Sequence, residues 1–124
     1  MRGERESVSS KYGVGDDQHS WAVDGGRQIK LHNGRLKETY EYTWKQGDVI
    51  GLACDLDAMR VLVSVNGSFA APNGVVFELA PEAVCDGLFA AITGFSGKVR
   101  CNLGKTAFKH APPSADFTAF VHFQ

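Results

Sequence analysis

Apolar and polar positions alternate with a period of two through most of this chain, in short runs separated by turn-forming residues. The clearest case is Asp48 to Asn66. Ile50, Leu52, Cys54 and Leu56 share one face of a strand. Asp57-Ala58-Met59 makes a turn, Val61, Val63 and Val65 share one face of the next strand, and Asn66-Gly67 ends it. Successive strand side chains point to opposite faces, so this segment reads as a long β-hairpin with one buried side. Its β-branched valines suit a pleated surface.

The same reading extends both ways. His19 to Asp24 is a strand closed by Asp24-Gly25-Gly26. Arg27 to His32 alternates, with Gln28, Lys30 and His32 on one face and Ile29 and Leu31 on the other, before the strong turn signal Asn33-Gly34. Tyr40, Tyr42 and Trp44 share a strand face and form either a binding stripe or a cover for the sheet. Covering is favoured, because apolar alternation usually marks the buried side. Val75 to Leu79 is a further strand. Leu88 to Phe95 and Lys98 to Leu103 are expected to pair across Ser96-Gly97, with Val99, Cys101 and Leu103 pointing one way. Phe117, Ala119, Val121 and Phe123 suggest a terminal strand. No helical periodicity appears. The 14 glycines are scattered at fairly even spacing, as in an all-β sandwich or barrel.

Composition narrows the function. The 124 residues fit one domain, with 44% hydrophobic and 22% charged residues, as expected of a folded chain. With 13 Lys and Arg against 14 Asp and Glu, the balance argues against nucleic acid as a partner and against a polybasic membrane-surface segment. No apolar run is long enough for membrane insertion, and residues 1–12 form a polar lead unlike a secretory signal. Cys54, Cys85 and Cys101 are odd in number and lack a Cys-x-x-Cys pair, so a cytoplasmic setting with reduced thiols is expected. No metal and no cofactor are expected: His19, His32, His110 and His122 show no ligand spacing, and no Gly-rich phosphate loop opens a helix.

Three blocks of sequence resemble a SPRY domain. The first runs from Gly13-Val14-Gly15-Asp16-Asp17 through Ser20-Trp21 to Gly25, followed by His32-Asn33-Gly34. The second is Gly47-Asp48-Val49-Ile50-Gly51, then Asp55, then the valine-rich strand ending at Asn66-Gly67. The third is Gly87-Leu88-Phe89-Ala90-Ala91-Ile92 with Val99 to Gly104. The resemblance implies a bent antiparallel β-sandwich over residues 13–104, with 105–124 as a C-terminal extension. It also implies a non-enzymatic module, one part of a larger scaffold or ubiquitin-ligase adaptor, whose end loops grip a partner protein or peptide. Family members usually carry further strands upstream of the Gly-Val-Gly-Asp-Asp loop. With only a polar lead there, the N-terminal strands are expected to be missing, which leaves an open sheet edge prone to self-association.

Carried over by position, the resemblance places the partner-binding surface at Tyr12, Asp16, Asp17 and Gln18 and at Phe95, Ser96 and Gly97. Related adaptors have Trp in the middle of the second turn where this chain has Ser96. Phe95 is an aromatic anchor or a core residue. Asp16 and Asp17 form an acidic rim suited to a Lys- or Arg-bearing partner, or else they cap loop backbone. Asp55-Leu56-Asp57 has the Asp-x-Asp form of a metal motif, but its place at a hairpin turn favours a turn role. The alternative function is a carbohydrate-binding sandwich, with Trp44 near Asp55 or Asn66 as the only candidate platform.

Overall fold

The alternating runs fold as strands where a residue able to reverse the chain separates them. In the computed structural model, which describes residues 13–84, 87–94 and 97–120, the strands are β1 (Trp21–Asp24), β2 (Ile29–His32), β3 (Arg35–Thr39), β4 (Ile50–Asp55), β5 (Arg60–Val65) and β6 (Gly74–Glu78). They form two antiparallel three-stranded sheets, ordered β1-β2-β3 and β4-β5-β6. Among the described residues the one helical element is a 3₁₀ turn at Pro81–Val84. The chain is therefore all-β, as its alternation implies.

Turn chemistry sets the hairpins. Asn33, Met59 and Asn66 sit at positive φ, the left-handed region that Asn tolerates best among residues with side chains. Asp24 Oδ1 accepts the Gly26 and Arg27 N–H groups, and its other oxygen pairs with Arg27 Nε at 2.7 Å. Partial burial pushes the Asp24 carboxyl up, but the bonds from Arg27 and Gly26 outweigh that and hold it below its ordinary range. At the other hairpin, Asp48 accepts the Lys45 N–H at 2.8 Å and Asn66 Nδ2 at 3.0 Å, which lowers its carboxyl as well.

The valine face of β5 forms the core. Val61, Val63, Val76, Phe77 and Leu79 pack with Trp21 of the other sheet. A bulge places Val61 opposite Phe77 and Leu62 opposite Val75, so Val76 is the extra residue and both Val76 and Phe77 are buried. Trp21 also stacks on its cross-strand partner His32, with the rings 4.8 Å apart and 3° from parallel.

A second joint lies at the ends of β3 and β6. Tyr40 follows β3 and is 0% exposed. Its hydroxyl donates to Asn73 Oδ1, just ahead of β6, and accepts a bond from Trp44 Nε1 at 3.1 Å. Trp44 lies flat on Gly25: a Cβ there would meet the indole at 2.2 Å, so only glycine fits. The Tyr40-Tyr42-Trp44 alternation survives as alternating burial without strand pairing, with Tyr40 buried and Tyr42 and Trp44 half-buried against it.

The C-terminal third departs from expectation. The hairpin expected from Leu88–Phe95 and Lys98–Leu103 is not formed: residues 87–94 and 97–103 contain no strand. Ile92 is 62% exposed and Val99 72%. Alternation makes a segment competent for a strand, but a strand also needs a neighbour to pair its N–H and C=O groups. Residues 105–120 likewise contain no strand, and 121–124, the rest of the expected terminal strand, lie outside the described residues. His110 packs against Gly67 at the β5 turn, where a Cβ would come within 2.9 Å of its ring.

Two outcomes follow for this core. Tyr40→Phe removes a hydroxyl that both Asn73 and Trp44 use, so stability in urea melts falls by about 1–3 kcal/mol. Desolvation pushes the Cys54 thiol up to about 11, and the thiolate is the reactive form. At neutral pH, mass spectrometry after brief alkylation of the native chain should find Cys54 protected and the exposed Cys101 modified, with Cys54 reacting once the chain is unfolded.

Candidate functional site

The loop from Gly13 to Ser20 is built on the β1–β2 surface. Gly15 has φ +95°, and a Cβ there would lie 2.8 Å from Leu31 Cβ and 2.9 Å from Ala22 Cβ. Only glycine lets the backbone come so close with that geometry. The Gly15 N–H donates to Ser20 Oγ at 2.7 Å, a buried bond. Its carbonyl accepts the Gly34 N–H at 2.8 Å, and the Asp17 carbonyl accepts the Asn33 N–H at 3.0 Å. The β2–β3 turn therefore holds the loop from beneath. His32 Nδ1 lies 2.8 Å from the Ser20 carbonyl, which only accepts, so that ring nitrogen carries the proton.

The acidic side chains of this loop are also its internal caps. Asp16 Oδ2 accepts the Gly13 N–H at 2.6 Å, and Asp17 Oδ1 accepts the His19 N–H at 2.8 Å. Asp16 and Gln18 are exposed and Asp17 is half-buried. Gln18 Nε2 approaches His19 Nε2 at 3.2 Å. Capping and display coexist, because one carboxylate oxygen can bond the backbone while the group still faces solvent.

Tyr12, Phe95 and Ser96 lie outside the described residues, and Gly97 is exposed at φ +94°. The approach to the second turn is nonetheless located. Val14 N–H donates to Thr93 Oγ1 at 2.9 Å, and Gly13 lies so close to Thr93 that a Cβ would meet it at 2.9 Å. The first loop thus touches the chain two positions before Phe95. Nothing local in the sequence marks Thr93, which is 79 positions from Val14. Ser20, Asn33 and Gly34 also support the loop, a role that the alternation pattern does not reveal. The Asn33-Gly34 turn signal could have suggested the last two.

The other candidate groups do not assemble. Asp55 Oδ1 accepts the N–H groups of Asp57 and Ala58 at 3.1 and 2.9 Å, which is a turn cap. Asp55 pairs with Arg60 at one end of the β4–β5 hairpin, whereas Asn66 follows Val65 at the other. Asn66 Oδ1 accepts the Val49 N–H, and its amide is engaged by Asp48. Trp44 is spent on Tyr40 and Gly25. Trp44 thus makes its hydrogen bond to Tyr40, while Asp55 and Asn66 each bond nearby backbone at opposite ends of the β4–β5 hairpin, so neither pairing proposed for a sugar platform, Trp44 with Asp55 or Trp44 with Asn66, is joined by a hydrogen bond among the described residues. Among the described residues no three His, Cys, Asp or Glu side chains converge on one point, and no helix is long and apolar enough to cross a membrane.

Comparison with known proteins identifies the family. A family model described as SPRY domain matches residues 3–106. An Arabidopsis thaliana protein named E3 ubiquitin-protein ligase RKP is 36% identical over 101 residues, 79% of this chain and 7% of its own length. The chain thus spans a small part of that curated relative.

The loop's support is testable. Ser20→Ala leaves the buried Gly15 N–H without its acceptor and lowers stability by about 1–3 kcal/mol. Amide hydrogen exchange should show Gly15 losing protection while the β4–β5 hairpin keeps its own.

Proposed function

The chain belongs to the SPRY domain family, and on that premise we propose that its end loops hold a partner protein or peptide without any covalent chemistry. The carrying observation is the Val14–Thr93 hydrogen bond, which sets the 13–18 loop beside the chain leading into Phe95, Ser96 and Gly97. Tyr12, Asp16, Asp17, Gln18, Phe95, Ser96 and Gly97 would then form one continuous surface on a rigid support. Preorganised loops of this kind bind with less ordering loss than free ones. The exposed Asp16 and adjoining Asp17 favour a segment bearing Lys or Arg, and Phe95 supplies an aromatic anchor.

The likeness to a named ubiquitin ligase supports a recruiting role inside a larger ligase or scaffold protein, with catalysis carried elsewhere in that protein. Residues 13–104 would be the working unit. A cytoplasmic setting suits Cys54 and Cys101, which are not in disulfides.

Peptides selected from a random display library on the 124-residue chain are expected to be enriched in Lys and Arg. Asp16→Asn, which removes the charge but keeps an oxygen to accept the Gly13 N–H, and Phe95→Ala should each weaken a selected peptide severalfold by calorimetry while the melting temperature holds. Undiminished affinity in both variants would reject this surface.

A further inference from the structure

Three asparagines of this chain are followed by glycine: Asn33-Gly34, Asn66-Gly67 and Asn73-Gly74. A glycine carries no side chain to keep its backbone nitrogen away from the preceding asparagine Cγ, so all three pairs share the local chemistry for deamidation. The fold separates them. Asn66 Oδ1 accepts the Val49 N–H at 2.9 Å, and its amide donates to Asp48 at 3.0 Å. Asn73 is buried, and its Oδ1 accepts the Tyr40 hydroxyl. Asn33 is exposed, and among the described residues no hydrogen bond holds its side chain. Only its main chain is held. The Asn33 N–H donates to the Asp17 carbonyl at 3.0 Å, and the Gly34 N–H donates to the Gly15 carbonyl at 2.8 Å. The loop lies close on this turn: a Cβ at Gly34 would sit 3.1 Å from the Asp16 carbonyl oxygen.

We propose that Asn33 is a deamidation site gated by the 13–18 loop, and that its conversion to isoaspartate releases that loop. When the loop lifts, the Gly34 nitrogen loses its bond to Gly15 and gives its proton to a water-derived base. The nitrogen attacks Asn33 Cγ, a C–N bond forms, the Cγ–Nδ2 bond breaks, and Nδ2 leaves as ammonia with a proton taken from solvent. Water then opens the five-membered imide. The net change is one water consumed and one ammonia released, with nothing oxidised or reduced. Opening at the side-chain carbonyl gives aspartate. Opening at the main-chain carbonyl gives isoaspartate, whose main chain runs through the side chain and is longer by one methylene. The Asn33 and Gly34 N–H groups are spaced to meet the Asp17 and Gly15 carbonyls together. A methylene inserted between them breaks that match, and Gly34 has little room to shift toward Asp16. The reaction belongs to the turn itself, whatever partner the loop holds.

The test incubates the whole chain in mildly alkaline buffer and maps its peptides by mass spectrometry, with isoaspartate identified by a protein isoaspartyl methyltransferase. Asn33 is expected to deamidate severalfold faster than Asn66 and Asn73. That lead should vanish in urea, where only the shared Asn-Gly chemistry remains. Ser20→Ala removes the acceptor of the Gly15 N–H and loosens the loop, so it should speed the reaction at Asn33 and leave Asn66 and Asn73 unchanged. In molecules carrying isoaspartate at 33, amide hydrogen exchange should show Gly15 losing protection. Asn33→Asp adds the same charge without lengthening the main chain, and Asp tolerates the left-handed backbone there, so this variant should keep Gly15 protected. The proposal is overturned if Asn66 or Asn73 reacts as fast as Asn33 in the native chain, or if the Asn33 lead persists in urea. It is equally overturned by an unchanged Asn33 rate in Ser20→Ala, or by full Gly15 protection in the isoaspartate form.

Discussion

The sheets of this protein are joined by large aromatic side chains that cross from one to the other, and the rest of the architecture depends on that joint. Trp21 leaves β1 to pack on the valine face of β5. Tyr40 leaves the end of β3 and bonds Asn73 at the start of β6. Burial of such side chains contributes about 2–3 kcal/mol each. The hydrogen bonds at Tyr40 fix its orientation as well, because an unpaired hydroxyl in that position would oppose folding. Small residues make room for the joint: with any side chain at Gly25, Trp44 could not lie over the chain and reach Tyr40.

The candidate binding loop is an outgrowth of the same joint. Trp21 stacks on His32, His32 donates to the Ser20 carbonyl, and Ser20 accepts the Gly15 N–H inside the loop. The loop is therefore tied to the core through a chain of named contacts. That arrangement suits recognition by preorganised loops, and it explains how acidic side chains serve as backbone caps and as displayed charge together.

Charge is divided unevenly along the chain. The near-neutral total conceals a stretch from 87 to 115 that holds Lys98, Arg100, Lys105 and Lys109 but no Asp or Glu, and a first two-thirds that holds nearly all the acids. A balance taken over the whole chain argues against polyanion binding in general.

What the sequence determined by itself was local. Period-two alternation set the strands of the β4–β5 hairpin, Asn33-Gly34 and Asn66-Gly67 set turns, and the Gly-Val-Gly-Asp-Asp, Gly-Asp and Asn-Gly blocks marked the family. Each of these signals acts between residues close in the chain, through backbone sterics and side-chain periodicity. Tertiary structure alone decided which alternating segments found a neighbour. It gave β5 a partner on each side and, among the described residues, gave Lys98–Leu103 none, although the two have similar patterns. It also decided that Thr93 would reach Val14 and that Trp44 would be spent on Gly25 and Tyr40. Such pairings join residues far apart in the chain, and their free energy comes from geometry that exists only once both sheets have formed.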